Sequence, residues 1–132
     1  MTDSTPAAVA ARYFDALATG DVPGAMALLS ADVVWHQPGA NRFSGEHRGH
    51  QGVGALLGRM MEVSGGSFQL AVSGQAMTNG ELVAVPVRFS GRREGAAMDM
   101  AGVDLLTIVD GEIVAVHLFS EDGDAEDHFW GS

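Results

Sequence analysis

The sequence predicts an α+β domain in which three helices from the N-terminal half close a strongly curved, mostly antiparallel sheet around an apolar pocket. Two observations carry this. Apolar residues recur at helical spacing in separate segments of the first 60 or so positions, and the period changes towards two after Gly65-Gly66. Tight-turn signals at Thr78-Asn79-Gly80 and Asp110-Gly111 then divide the second half into long segments joined as a meander.

Thr5-Pro6 reads as a helix start, with threonine as cap and proline at the first helical position. Val9, Tyr13 and Leu17 follow at helical spacing, and Gly20-Asp21 breaks the run. A short second helix is expected from about Val22 to Leu29, with Pro23 near its start, where a missing N–H costs little. Asp32 to Gln37 is β-rich and ends at Pro38-Gly39; the segment from Ala40 to Gly49 reads as a loop. Val53, Leu56, Leu57 and Met60 form the stripe of a third helix, in which Gly52, Gly54 and Gly58 suggest close packing against the sheet.

Phe68, Leu70 and Val72 alternate with polar or small residues, and strands are expected over Glu81–Arg92, Ala97–Val109 and Glu112–Phe119. Pro86 and Gly102 are read as bulges or bends that let long strands curl. Asp122–Trp130 is expected to be a short acidic helix or cap. Its charges form a solvated face, and Phe129-Trp130 docks back onto the sheet.

At 132 residues the chain suits one domain spanning residues 1–132. No run approaches the ~20 apolar residues of a membrane span, and the start, Met1 to Pro6, lacks the basic and apolar blocks of a secretion signal. A cytoplasmic location is the expectation. The chain has neither cysteine nor lysine, which excludes thiolate nucleophiles, Schiff-base chemistry and a lysine-bearing phosphate loop. A net charge of −10, with no arginine cluster larger than Arg92-Arg93, argues against nucleic acid. Gly52-Val53-Gly54 lacks the third glycine of a dinucleotide fingerprint, and no serine sits in a G-x-S-x-G elbow. Glu46-His47-Arg48-Gly49-His50 has metal-capable side chains but lacks other close ligands, so neither a metal nor a cofactor is expected.

What remains is a set of polar residues within apolar segments. Asp104 sits in Gly102-Val103-Asp104-Leu105-Leu106, and a buried carboxyl there either pairs or stays protonated, ready to donate a hydrogen bond. Solvent exposure or pairing with an arginine is the competing reading. Tyr13 lies on the first helix's apolar stripe, as packing or as a hydroxyl reaching the pocket. His36 and His117 each interrupt a hydrophobic strand, and imidazole is the natural base near neutral pH. Asp32 to Gln37 shows no clean alternation; His36 is expected to face inward, while a one-residue slip puts Trp35 and Gln37 inside instead. Trp35, Gln37, Met98, Met100 and Phe119 are the expected substrate-binding wall.

Taken in this order, the chain resembles the nuclear-transport-factor-2-like superfamily, which includes ketosteroid isomerases and SnoaL-like polyketide cyclases. The resemblance is carried by Ala11-Arg12-Tyr13 before Gly20-Asp21-Val22, Ser30 to Val34, Arg48-Gly49, Gly111 to Val114, and Phe119-Ser120-Glu121. Trp35-His36-Gln37-Pro38-Gly39 and Asp127-His128-Phe129-Trp130 resemble the SnoaL-like branch. It implies a cone-shaped barrel, often dimeric, with a hydrophobic cavity for an apolar, polyketide- or steroid-like carbonyl compound; apolar residues on both parities of Met98–Val109 lead to the expectation of a homodimer through the outer sheet face. Tyr13 then matches the isomerases' oxyanion-binding tyrosine, and Asp104 their protonated aspartic acid, with a one-residue gap at the Asp110-Gly111 turn. Where those enzymes carry a basic aspartate, this chain has Gln37. The Arg-x-Asp pair of limonene epoxide hydrolases is missing before both Asp99 and Asp104. The implied function is a cofactor-independent isomerase or cyclase, with Asp104 and Tyr13 stabilising negative charge and His36 or His117 moving the proton. The alternative is a non-catalytic small-molecule-binding or assembly domain of the same fold.

Overall fold

A computed structural model describes residues 3–132. Met1 and Thr2, part of the N-terminal reading above, lie outside the described residues. Helix α1 (Pro6–Ala18) opens as its sequence predicts: Thr5 caps it by accepting from the Ala8 N–H, and Pro6 occupies the first turn. It buries Val9, Ala10, Tyr13 and Phe14. Asp21 caps α2 (Val22–Ala27) through the Gly24 N–H at 3.0 Å. This helix is shorter than expected, because Leu29 already begins β1 (Leu29–Gln37), where it pairs with Ile113.

The segment expected to be a loop contains a strand, β2 (Gly45–Arg48), antiparallel to β1, with Val34 opposite Arg48 and Gln37 opposite Gly45. Helix α3 (Gly49–Val63) then packs Val53, Leu56 and Met60 inward. Of its glycines, only Gly52 packs against the sheet as expected, at His47 of β2. A Cβ on Gly54 would touch Met26 of α2 at 3.8 Å, one on Gly52 would touch the His47 backbone, and Gly58 faces open space.

Strands β3 (Gln69–Val72), β4 (Met77–Asn79), β5 (Leu82–Arg93), β6 (Ala96–Val109) and β7 (Glu112–Ser120) complete a seven-stranded sheet of order β2-β1-β7-β6-β5-β3, with β4 also on β5. All neighbours are antiparallel except β1 and β7. The sheet curves without closing on itself. Asp110 and Gly111 both take positive φ, 51° and 80°, as a tight hairpin of this twist requires.

Pro86 and Gly102 produce no register shift: β5 and β6 pair continuously from Leu82–Thr107 to Arg93–Ala96. Pro86 sits instead where the other neighbour of β5 changes, after β3 ends opposite Val87 and before β4 begins opposite Ala84, so no partner needs its missing N–H. Gly102 is required by close approach, since a Cβ there would lie 2.5 Å from the Phe119 carbonyl oxygen and 2.8 Å from the Phe89 ring.

Helix α4 (Gly123–Trp130), capped by Asp122 through the Ala125 N–H, folds back across the sheet and buries Phe129 and Trp130 completely. Trp130 packs against Phe43, Phe68 and Phe129. Arg42 N–H donates to the Gly131 carbonyl, and Asp127 accepts from Ala40 N–H and the Asn41 amide, so the middle of α4 and the residue after it are tied to the loop after β1. No helix among the described residues is long and apolar enough to cross a membrane.

Candidate functional site

Strand parity decides which side chains face the helices. On β6, Met98, Met100, Asp104, Leu106 and Ile108 are buried, and their partners Val83, Val85 and Phe89 on β5 are buried with them. Asp104 lies opposite Leu118 of β7 on one side and Val85 of β5 on the other, so its carboxyl stands in a row of apolar residues on the inner face. It is 6 % exposed. Burial first, and the nearby Glu126 carboxylate second, push its pKa up to about 7. A substantial share of this side chain is therefore a neutral acid at physiological pH.

Tyr13 reaches the same region from α1. Its hydroxyl is held well above the usual phenol range by burial and then by the charge of Asp104, so it is a neutral donor at every ordinary pH. Among the described residues, no hydrogen bond opposes the shift of the Asp104 carboxyl or of the Tyr13 hydroxyl. Both are therefore held towards their neutral O–H forms on the inner face.

On β1, Val33, Trp35 and Gln37 are buried while Val34 and His36 between them are only partly covered. Trp35 and Gln37 thus face inward, and the Trp35 indole N–H donates to the Gln37 side-chain oxygen at 3.0 Å. The expectation for His36 is corrected: it points to the outer face. His117, its neighbour on β7, does the same, and the two imidazoles stack there. Alternation is the cause, because residues one apart on a strand point to opposite faces. The same parity corrects Phe119, which is 54 % exposed on the outer face, whereas Met98 and Met100 do line the interior.

One interior carboxyl is hidden in the sequence by its acidic neighbours. Glu126 of α4, within the run expected to be solvated, is 5 % exposed. Its two oxygens accept from the Ser120 hydroxyl at 2.5 Å and the Trp130 indole N–H at 3.3 Å. Burial raises its pKa and these two donors oppose that rise. The spacing of Glu126, Phe129 and Trp130, three and four apart on a helix, is the signal that places all three on one buried face. His47 and His50, the metal-capable pair of the earlier motif, each bond a backbone carbonyl, of Phe43 and Leu29, both at 2.7 Å. No cluster of three potential metal ligands occurs among the described residues.

The profile of the SnoaL-like domain matches residues 10–116. The chain belongs to the SnoaL-like domain family. The match spans both Tyr13 and Asp104 and ends before α4. A solved structure from Xanthomonas campestris, described as a protein of unknown function with a cystatin-like fold, is 47 % identical; the alignment covers 97 % of this chain and 99 % of that one, with a TM-score of 0.92. An NTF2-like protein of Burkholderia xenovorans shares the fold at 22 % identity, 96 % and 95 % coverage and a TM-score of 0.78. TerC, co-crystallised with polyporic acid, does so at 21 % identity, 97 % and 100 % coverage and a TM-score of 0.82. No curated protein matches the chain. SnoaL-like domains are small-molecule-binding or isomerase- and cyclase-type domains, and this one presents its polar groups on the inner face of the sheet.

Proposed function

We propose that this SnoaL-like chain is a cofactor-independent isomerase or cyclase acting on an apolar carbonyl compound of polyketide or steroid type in the cytoplasm. The observation that supports this best is the pairing of Asp104 and Tyr13: two buried groups within electrostatic reach of each other, each pushed by burial towards its neutral O–H form. A carbonyl oxygen entering between them takes both hydrogen bonds, and those bonds strengthen as negative charge develops on it. Trp35, Met98 and Met100 supply the apolar wall, and Gln37, bound to Trp35, adds a fixed amide. The co-crystallisation of TerC with polyporic acid is consistent with a fold that accommodates small organic molecules.

The test is binding of 2-naphthol, a phenol whose oxygen mimics an enolate, followed by its fluorescence. Tyr13→Phe and Asp104→Ala are each expected to weaken affinity by about tenfold, the loss of one strong hydrogen bond in a dry site. Unchanged affinity in both would refute the reading. One observation favours the non-catalytic alternative: the position matching the isomerases' base holds Gln37, whose amide cannot take a proton. We place a homodimer contact on the outer sheet face, where Phe119 is exposed and Val34, Val103 and Leu105 are only half-buried. Light scattering at micromolar concentration tests it, and a monomer would refute it.

A further inference from the structure

With Gln37 unable to accept a proton and both strand histidines turned outward, the interior lacks the base that the proposed chemistry needs. The acidic and basic groups that do face it are few. From α1 comes Tyr13, from β6 Asp104 and from α4 Glu126, while β5 contributes Arg93 at the rim, its guanidinium bonded to the Phe129 and His128 carbonyls. Asp127, next to Glu126 on α4, turns away to bond Ala40 and Asn41.

We infer that Glu126 is the general base of this site, carried to the inner face by α4 and held there by Ser120 and Trp130. The inference rests on the carbonyl-compound reading and deepens it. Three features single out Glu126. It is buried on the face of α4 that meets the sheet. Its anchor Ser120 stands two residues from Leu118, the direct partner of Asp104, and so on the same inner face one step along β7. Both its oxygens receive a donor, which favours the ionised form, and each keeps a lone pair free to accept.

The division of labour follows from the environments. Tyr13 and Asp104 are the donors, and Glu126, whose two oxygens already accept from Ser120 and Trp130, is the acceptor. Glu126 takes a proton from the carbon α to the substrate carbonyl. The C–H electron pair forms the enolate double bond, and the carbonyl oxygen takes the charge under the hydrogen bonds of Asp104 and Tyr13. Returning the proton from Glu126 to another carbon completes an isomerisation, with no oxidant or co-reactant consumed. Residues of the outer face take no part.

The experiment follows exchange of the α-protons of 2-tetralone for deuterium by NMR, with wild type, Glu126→Gln, Ser120→Ala and His36→Ala compared after subtraction of the buffer rate. Wild type and His36→Ala are expected to exchange equally. Glu126→Gln is expected to lose about 10²- to 10⁴-fold, the range for removal of a positioned base, with 2-tetralone still bound. Ser120→Ala removes a donor from the carboxylate, so the acid limb of its pH profile should move to higher pH while Asp104 still sets the alkaline limb. Undiminished exchange in Glu126→Gln, or an unmoved acid limb in Ser120→Ala should Glu126→Gln fail to fold, overturns the assignment to Glu126 alone. Absence of exchange in wild type overturns the carbonyl reading and the base role together.

Discussion

The imidazoles of His36 and His117 stack face to face on the outer surface of the sheet, ring centroids 3.9 Å apart and planes within 10°. The Nδ1 of His117 is inaccessible and has no hydrogen-bond partner among the described residues. Desolvation, and then the neighbouring His36, lower its pKa. By NMR titration His117 is therefore expected to protonate below the ordinary imidazole range, and His36→Ala to move it back up. In stability the sign is that of a group kept neutral by folding: the unfolded chain takes up the proton first, so this contribution is lost as the pH falls below about 6.5. His117→Asn should remove that part of the acid sensitivity.

Asp104 acts in the opposite sense. Its pKa rises on folding from 3.8 to about 7, so the folded chain holds an extra proton between those values and its stability falls as the pH climbs through that window. Asp104→Asn keeps the shape without the charge. Urea denaturation should show little difference between variant and wild type near pH 4, and above pH 7 a variant more stable by up to about 4 kcal/mol. An equal offset at both pH values would mean that folding leaves the pKa of this carboxyl unshifted.

Gly102→Ala tests the close approach between β6 and β7. The added methyl meets a backbone oxygen that cannot swing away and the edge of the Phe89 ring. A loss of about 1–3 kcal/mol is expected from denaturant midpoints, as for overpacking elsewhere. Gly58→Ala, where nothing lies within 4 Å, serves as control and should stabilise α3 by up to about 1 kcal/mol.

Trp130→Ala should cost about 3–5 kcal/mol by thermal or urea unfolding, because a fully buried indole in contact with three aromatic rings is replaced by a cavity. Trp130→Phe keeps most of that packing but deletes the N–H that Glu126 accepts. The Glu126 carboxyl should then titrate higher than in wild type, which carbon-13 NMR of labelled glutamate reads directly.

How much of this was legible in the sequence depended on how local each signal was. Thr5-Pro6, Asp110-Gly111 and the stripe from Val53 to Met60 specify their own geometry within a few residues, and the structure follows them. Gly45–Arg48 carries no intrinsic strand pattern; pairing with β1 makes it one. The facing of β1 was ambiguous because Val33 and Val34 are both apolar, and the choice between Gln37 and His36 falls to contacts with α3, β2 and β7 that no local window contains. Asp104 was visible as a charge among apolar residues. Glu126 was not, because four other acidic side chains surround it between Glu121 and Asp127, and only its helical phase with Phe129 and Trp130 distinguishes it.

The placement of Pro86 has a consequence for how the protein behaves in a crowded solution. The long strands β1, β5, β6 and β7 are 9 to 14 residues each and rich in valine, leucine and isoleucine, a composition that invites strand-to-strand association. β5 is paired with β6 along its whole length, and helix α4 packs against β6, which runs beyond the end of β7 over residues 96–101. The sheet ends in strands of four residues on one side, β2, and of four and three on the other, β3 and β4, with Pro86 interrupting the margin between the last two. On β2, Glu46 and Arg48 add an exposed ion pair at 2.7 Å. Short, charged and proline-broken borders deny a second chain the run of backbone groups it would need to extend the sheet, so the fold keeps apolar strands long while resisting aggregation edge to edge.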